Sequence, residues 1–204
     1  MTEPAPPNSG NAPFRSPLLM NASDSAVVVI DVQEKLLPLI PNHKHITWNM
    51  LRLIEGAELL DVSVCCTEQY PRGLGKTVDP LLGKVNSVGE HAIAEKTMFS
   101  CRQCSSLFET ISESGIHNLL LCGIETHVCV AQSALDLMAQ GFNIFVCVDA
   151  IGARSPIDHR VALRRLESSG VTLTTTEAVL FEWCESSKHS EFKKISKLVQ
   201  QTAP

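Results

Sequence analysis

The sequence predicts an α/β fold in which a parallel sheet carries helices on both faces. Three observations indicate it: short apolar runs alternate with longer helical stretches, the first run has no polar alternation, and glycines separate several helices from the next strand. Residues 26–30 (AVVVI) suit a strand that is buried on both faces of a parallel sheet. Strands that alternate with helices form βαβ units, which cover both faces of one sheet.

Six strands and the helices between them follow from the same pattern. Gly115, Gly141 and Gly170 stand where a helix is expected to end before a strand begins. The predicted strands are 26–30, 62–67, 91–95, 118–122, 143–148 and 171–174. The predicted helices are 46–60, 105–114, 128–140 and 156–168.

Composition and charge exclude several classes of protein. The length of 204 residues suits one domain, and hydrophobic and charged fractions of 44% and 19% exclude a wholly disordered chain. A net charge of −5 provides no electrostatic footprint for nucleic acid or an anionic membrane, so we expect neither as a partner. No apolar run is long enough to span a bilayer.

The cysteines and the first residues indicate the cellular compartment that we expect for the protein. Eight cysteines suggest a disulfide framework, but several, such as Cys122 and Cys147, lie inside apolar strand-like runs where a buried thiol fits. The chain starts with acidic and proline-rich residues and has no apolar segment typical of a secretory signal. We therefore expect reduced cysteines and a cytoplasmic protein.

Three regions are expected along the chain. Residues 1–20 contain five prolines and predict a flexible N-terminal arm. Residues 21–187 are expected to form the domain. Residues 188–204 are expected to form an amphipathic C-terminal helix with Phe192, Ile195 and Val199 on one side, packed on its own domain or on a neighbouring subunit.

The predicted topology directs attention to the carboxyl ends of the strands, where open parallel sheets bind their ligands. The residues that follow strands one to five are Asp31, 67–69, Glu95 and Lys96, 123–129, and 149–153. Among them, three side chains combine into a chemically useful set: the carboxylate of Asp31, the ammonium of Lys96 and the thiol of Cys129.

Each of the three also has an ordinary structural explanation. Cys129 follows strand four and opens a helix, where the dipole and free amides favour a thiolate, but it is equally compatible with a buried structural thiol. An acidic residue such as Asp31 is costly to bury unless it is paired or functional. Its structural explanation is a cap for the segment that follows. Lys96 alone is compatible with a solvated surface lysine. Together, the carboxylate can act as general base to the thiol, and the lysine can keep that carboxylate ionised.

Three motifs in order resemble the isochorismatase-like cysteine hydrolases, a superfamily that includes nicotinamidase and N-carbamoylsarcosine amidohydrolase. They are 28–33 (VVIDVQ), 95–100 (EKTMFS) and 123–130 (GIETHVCV). The resemblance covers roughly residues 25–183. It implies a three-layer α/β/α sandwich around a six-stranded parallel sheet and a catalytic triad of Asp31, Lys96 and Cys129. It also implies a cis peptide between Ile124 and Glu125 and an oxyanion hole formed by the amides of Glu125 and Cys129.

The sequence departs from two members of the superfamily. Nicotinamidases carry a metal site after the second strand, in an Asp-x-His pattern, whereas residues 67–71 here read TEQYP without histidine. Isochorismatases lack the nucleophilic cysteine, which this chain keeps. The chain is therefore most similar to the metal-free branch of isochorismatase domain-containing proteins. The resemblance implies no metal and no cofactor, a small-molecule substrate and a homo-oligomer.

Residues beside the strand ends are expected to line the substrate pocket. They are Gln33, Gln69, Tyr70, Phe99, Ile124 and His127. Tyr70 also fits a loop with a packed ring, and His127 fits a solvent-facing residue at a helix start. Thr126 is expected to cap that helix, and Glu125 is expected to make structural hydrogen bonds.

Another cysteine motif, Cys101-x-x-Cys104, is interpreted as a coincidence of spacing, since no second ligand pair accompanies it.

The sequence thus predicts a cysteine-dependent hydrolase of a small amide or related C–N bond, acting through a thioester. The alternative is a binding or scaffold protein that keeps a hydrolase-like fold with an inert thiol. A thiol that reacts well below its usual pKa would favour the enzyme.

Overall fold

The computed structural model describes residues 15–85 and 93–203, and its architecture is the predicted one. Within these ranges the strands are β1 Ser25–Ile30, β2 Ser63–Gln69, β3 Ile93–Lys96, β4 Asn118–Ile124, β5 Asn143–Gly152 and β6 Thr172–Thr174. All pair in parallel, in the order β3-β2-β1-β4-β5-β6. The predicted six-stranded parallel sheet is confirmed, and its order reverses between β1 and β4.

Helices cover both faces of the sheet. They are α1 His43–Leu59, α2 Pro71–Leu74, α3 Asp79–Val85, α4 Ser105–Glu113, α5 Ala131–Ala139, α6 Pro156–Ser168, α7 Thr176–Cys184 and α8 Phe192–Val199. One hydrophobic cluster contains residues of α1, α3, α7 and α8, and the other contains residues of α4, α5 and α6. The three-layer sandwich is therefore confirmed.

β1 separates these two clusters. Val27 and Val29 belong to one, whereas Ala26, Val28 and Ile30 belong to the other. Every residue of the strand is buried, which explains why its sequence shows no polar alternation.

Three strands extend further than the sequence predicts. β2 ends at Gln69, β4 at Ile124 and β5 at Gly152, because each extension pairs with a neighbouring strand. The pairing of β4 with β5 shifts register between Leu121 and Gly123 and then continues. The predicted start of β3 at residue 91 lies outside the described residues.

The sequence pattern did not predict α2, α3 or α7. α2 and α3 are short, and the exposed face of α7 carries the apolar residues Ala178 and Phe181, so none shows a clear polar–apolar period in the sequence. α7 packs closely on α1: a Cβ atom added at Gly56 would collide with the side chain of Leu180.

The prediction of a loose arm over residues 1–20 is wrong for its last part. Arg15 donates hydrogen bonds to the carbonyls of Met20 and Glu182 at 2.9 and 2.6 Å and pairs with Glu185 at 2.8 Å, and Met20 is fully buried. These contacts fix residues 15–20 on α7. Residues 1–14 lie outside the described residues.

The C-terminal helix belongs to the domain core in the described structure. α8 buries Ile195 and Leu198 in the cluster that contains α1 and α7. No helix within residues 15–85 and 93–203 combines the length and apolar character needed to cross a bilayer.

Candidate active site

Two of the three predicted catalytic side chains form a buried ion pair at the carboxyl edge of the sheet. Asp31 directly follows β1, and Lys96 is the last residue of β3. The Nζ atom of Lys96 lies 2.6 Å from Oδ2 of Asp31, and both side chains are fully buried. Asp31 adopts a left-handed backbone conformation (φ 53°), and its amide donates to the carbonyl of Thr67 at 3.1 Å. The two oppositely charged side chains therefore meet at the carboxyl edge of the sheet, where ligands are expected to bind.

The Lys96 ammonium is surrounded by acceptors. Besides Asp31, it donates to Oε1 of Gln69 at 3.0 Å and to the carbonyls of Phe99 and Met98 at 2.9 and 3.3 Å. Such a complete set of partners is what a buried charge requires. The ion pair is therefore held in one arrangement rather than exposed to solvent.

Both carboxylate oxygens of Asp31 have a donor. Lys96 serves Oδ2, and the hydroxyl of Thr67 donates to Oδ1 at 2.7 Å. The sequence placed Thr67 among the strand-end candidates but assigned it no role. The signal that could have indicated this contact is a hydroxyl at the predicted end of a strand, at the edge that also carries Asp31.

Cys129 lies beside this pair, inside a π-helical turn, Thr126–Val130, between β4 and α5. Its side chain is almost buried, and the residue is 6% exposed. Burial, the charge of Asp31 and a hydrogen bond with that carboxylate raise the pKa of the Cys129 thiol well above its usual value, against the opposing effect of Lys96. Burial and the Asp31 carboxylate therefore act against the thiolate that the helix start was expected to favour.

The turn that carries Cys129 has the backbone that the resemblance implied. The peptide between Ile124 and Glu125 is cis. The carbonyl of Glu125 accepts the amides of Val128 and Val130 at 3.0 and 3.3 Å, and the amide of Cys129 lies between these two donors in the chain.

Thr126 does not cap the turn, contrary to prediction. Its hydroxyl instead lies 2.9 Å from Nδ1 of His159 on α6, a contact that the sequence did not reveal. Because Thr126 is fully buried, its hydroxyl needs a partner inside the protein.

Glu125 makes structural contacts, as expected. Its carboxylate accepts the Arg154 amide at 2.9 Å and the Arg154 side chain at 3.0 and 3.1 Å. Burial opposes ionisation, but these hydrogen bonds and the guanidinium charge prevail and lower the pKa of Glu125. Arg154 was missed because nothing in its local sequence indicates a partner 29 residues earlier.

Three of the predicted pocket residues do not offer a side chain to a ligand. Gln33 and Ile124 have no exposed surface, and Gln69 is buried. Gln33 donates to the carbonyls of Gln69 and Gly75 at 3.0 and 2.7 Å and accepts the amide of Gln69 at 2.8 Å. Gln69 in turn bonds Lys96 and, at 2.7 Å, the carbonyl of Thr97. The side-chain amides of Gln33 and Gln69, which were expected to contact substrate, therefore form hydrogen bonds within the protein.

The other predicted pocket residues have accessible surface. Tyr70 and Phe99 are 54% and 53% exposed, and His127 is half-buried. Tyr70 lines a surface hollow of about 290 Å³ that reaches Lys96.

The remaining cysteines form no disulfide, since all eight are free. Cys101 opens a short 3₁₀ helix, Cys101–Gln103, and its thiol lies 3.7 Å from the hydroxyl of Thr67. Within residues 15–85 and 93–203, no group of three or more His, Cys, Asp or Glu side chains is arranged to hold a metal ion.

Comparison with known proteins identifies relatives over most of the chain. The profile of the Isochorismatase domain family matches residues 25–178. Isochorismatase domain-containing protein 2 of Danio rerio is 37% identical over 185 residues, covering 91% of each protein. Isochorismatase domain-containing protein 1 of Danio rerio is 35% identical over 91% of this chain, but the match spans only 64% of that longer protein.

Solved structures extend the comparison. A Caenorhabditis elegans structure described as MAR1 ribonuclease is 38% identical, with a TM-score of 0.84 and coverage of 91% of this chain and 94% of that chain. The Escherichia coli YcaC gene product, described as an octameric hydrolase of unknown specificity, has a TM-score of 0.82 and covers 91% of each chain. It is 23% identical, so this likeness concerns the fold alone.

Proposed function

Because the chain belongs to the isochorismatase family, we propose that it is a cysteine-dependent hydrolase of a small amide or related C–N bond. The observation that carries the proposal is the fully buried Asp31 and Lys96 pair, 2.6 Å apart, beside the thiol of Cys129. A buried ion pair is weak evidence for stability, and its retention next to a thiol at a ligand-binding edge favours a chemical role.

In the proposed reaction, Asp31 takes the proton of Cys129 while the sulfur attacks the carbonyl carbon of the amide. The C=O π electrons move to oxygen, and the amides of Glu125 and Cys129 hold the resulting oxyanion. When the tetrahedral intermediate collapses, the C–N bond breaks and the leaving nitrogen takes the proton from Asp31. This leaves a thioester on Cys129 and an ionised Asp31.

Water completes the cycle. Asp31 removes a proton from water as its oxygen attacks the thioester, and the C–S bond then breaks as the sulfur regains that proton. The carboxylic acid leaves, and the starting thiol is restored. Lys96 remains an ammonium throughout and keeps Asp31 ionised between proton transfers.

The raised pKa of Cys129 shapes this mechanism. A neutral resting thiol has little reactivity towards adventitious electrophiles, since the thiolate is the nucleophile. Proton transfer to Asp31 must therefore accompany attack on the substrate. We expect a reaction that depends on the ionised carboxylate rather than on a preformed thiolate.

Tyr70, Phe99 and His127 are the proposed substrate contacts, because they are the predicted pocket residues with accessible side chains. The two rings suit an apolar or planar group next to the reacting carbonyl. No cofactor or metal enters the proposed steps.

RNA cleavage is the second candidate, since the C. elegans structure at 38% identity is described as a ribonuclease. A net charge of −5 disfavours binding a polyanion. A non-catalytic binding or scaffold protein with an inert thiol is the third candidate, and it predicts that the wild type hydrolyses neither amides nor RNA.

The test compares Cys129→Ala, Asp31→Asn and the wild type on a panel of small primary amides and on a single-stranded RNA. Cys122→Ala is the matched control, because Cys122 is also buried but bonds the carbonyl of Val28. We expect amide hydrolysis by the wild type and the control, with loss of at least about 10³-fold in both site variants. Full activity of Cys129→Ala on a hydrolysed amide contradicts the proposal, and Cys129-independent RNA cleavage favours the second candidate.

We also propose a homo-oligomer, as the description of YcaC as an octamer suggests for the fold. Light scattering at micromolar concentration tests it, and a mass near that of one chain contradicts it.

A further inference from the structure

We infer that Thr67, supported by Cys101, is a positioning residue that sets the orientation of the Asp31 carboxylate towards Cys129. This inference rests on the proposed role of Asp31 as the base. Thr67 touches Asp31 twice: its hydroxyl donates to Oδ1 at 2.7 Å, and its carbonyl accepts the Asp31 amide at 3.1 Å.

The direction of these hydrogen bonds follows from chemistry. An ionised carboxylate only accepts, so the Thr67 hydroxyl must donate to Asp31 and turns its own lone pairs elsewhere. The thiol of Cys101, 3.7 Å away, donates to that hydroxyl oxygen. Burial raises the pKa of Cys101 to about 11, so the thiol keeps the proton that it donates at neutral pH. The result is a one-way chain from Cys101 through Thr67 to Asp31.

Cys101 is itself held in place from the side of the nucleophile. Its amide donates at 2.9 Å to the hydroxyl of Ser133, and Ser133 lies on α5, four residues after Cys129. Cys101 therefore connects α5, the helix after Cys129, with Thr67 on β2, the strand next to Asp31. This assigns Cys101 a role that the C-x-x-C spacing did not suggest.

The electrostatic surroundings of Asp31 include one cation and several thiols. They are Lys96 on β3, Cys66 on β2, Cys101 and Cys104 at the ends of the 3₁₀ segment, and Cys129 in the π-helical turn. Lys96 serves Oδ2, and the Thr67 hydroxyl serves Oδ1. Its loss removes that donor from a buried oxygen and weakens the hold on the orientation of the carboxylate.

The experiment measures the rate of alkylation of Cys129 by iodoacetamide at pH 7, with the modified peptide quantified by mass spectrometry. Because the resting thiol is neutral, its attack on the reagent needs an acceptor for the proton, and Asp31 is the proposed acceptor. In Thr67→Val, which keeps the shape but lacks the hydroxyl, we expect the rate to fall roughly ten-fold, the effect of one lost hydrogen bond. Thr67→Ser should restore the wild-type rate, and Cys101→Ala should lower it by less.

Cys122→Ala is the matched control for Cys101→Ala, since both thiols are fully buried and Cys122 bonds only a backbone carbonyl. A Thr67→Val rate equal to that of the wild type overturns the inference. If Thr67→Val does not fold, by circular dichroism, the Cys101→Ala rate decides instead, and an unchanged one overturns it. An Asp31→Asn rate equal to that of the wild type shows that Asp31 does not accept the proton, and then the proposed base itself fails.

Discussion

The two halves of the sheet build their parts of the candidate site in different ways. On one half, the ends of β1, β2 and β3 carry Asp31, Thr67, Gln69 and Lys96, which we call the base half. These side chains are buried and bond one another. On the other half, β4 leads into residues 125–129, which we call the thiol half. There the backbone forms the turn that carries Cys129. The carboxylate of Glu125 in this turn pairs with Arg154, whose side chain is 60% exposed.

This difference indicates whether a substitution in each half affects stability, activity or both. In the base half, a removed side chain takes a hydrogen bond from a buried polar group or charge, so a change there costs stability as well as chemistry. In the thiol half, removing the Arg154 side chain costs only a solvent-screened ion pair, whereas removing the Cys129 thiol takes away the functional group itself. Substitutions in the two halves should therefore separate stability from activity.

The largest loss of stability is expected for Lys96→Met. The variant leaves the buried Asp31 carboxylate without its cation, which typically costs about 3–5 kcal/mol in the free energy of unfolding. Urea denaturation at neutral pH measures it. Lys193→Met is the control, because Lys193 is exposed on α8 and the urea midpoint of this variant should hardly move. A Lys96→Met midpoint as close to the wild type as that of the control would show that the base half tolerates an unpaired Asp31.

A smaller loss is expected for Gln33→Ala. The substitution removes three hydrogen bonds that fix the backbone of Gln69 and Gly75, at an expected cost of roughly 2–3 kcal/mol in the free energy of unfolding. Gln200→Ala, on the exposed end of α8, is the control. If Gln33 instead contacts substrate, as the sequence suggested, the variant would unfold at the wild-type urea concentration while its activity falls.

The smallest effect is expected for Arg154→Gln in the thiol half. Because Arg154 lowers the pKa of Glu125 in the folded protein, the pair stabilises the fold above the ordinary glutamate value of about 4.5 and loses that effect as pH falls through the lowered value. The wild type should thus be slightly more stable than the variant at pH 7, and the difference should vanish in acid.

Thermal denaturation at pH 7 and at pH 3 measures that difference. Arg160→Gln, on α6 nearby, is the control for loss of an exposed guanidinium. A gap between Arg154→Gln and the wild type that grows in acid would mean that Arg154 acts through something other than the ionised Glu125.

Much of the fold was predictable because it follows from local pattern. The buried strand of residues 26–30 and the glycines before the later strands identified a parallel sheet, and the strand ends identified Asp31, Lys96 and Cys129 as residues that share one edge. α7 was not predictable in this way, because Ala178 and Phe181 on its exposed face obscure the period of its buried residues.

The amides of the base half show where sequence reasoning ends. Gln33 and Gln69 stand at the expected edge of the sheet, and their chemistry suits a ligand as well as the protein interior. Only the fold reveals that their hydrogen bonds are already used by Lys96 and by backbone groups more than 25 residues away.

The sequence by itself therefore determined the architecture and the order in which a carboxylate, a cation and a thiol reach one edge of the sheet, since both depend on residues near in the chain. Tertiary structure decided how these groups behave. Burial and the nearby Asp31 charge raise the pKa of Cys129, and Thr67 and Lys96 occupy separate oxygens of Asp31. Those properties depend on desolvation and on distances between strands, which no local pattern records.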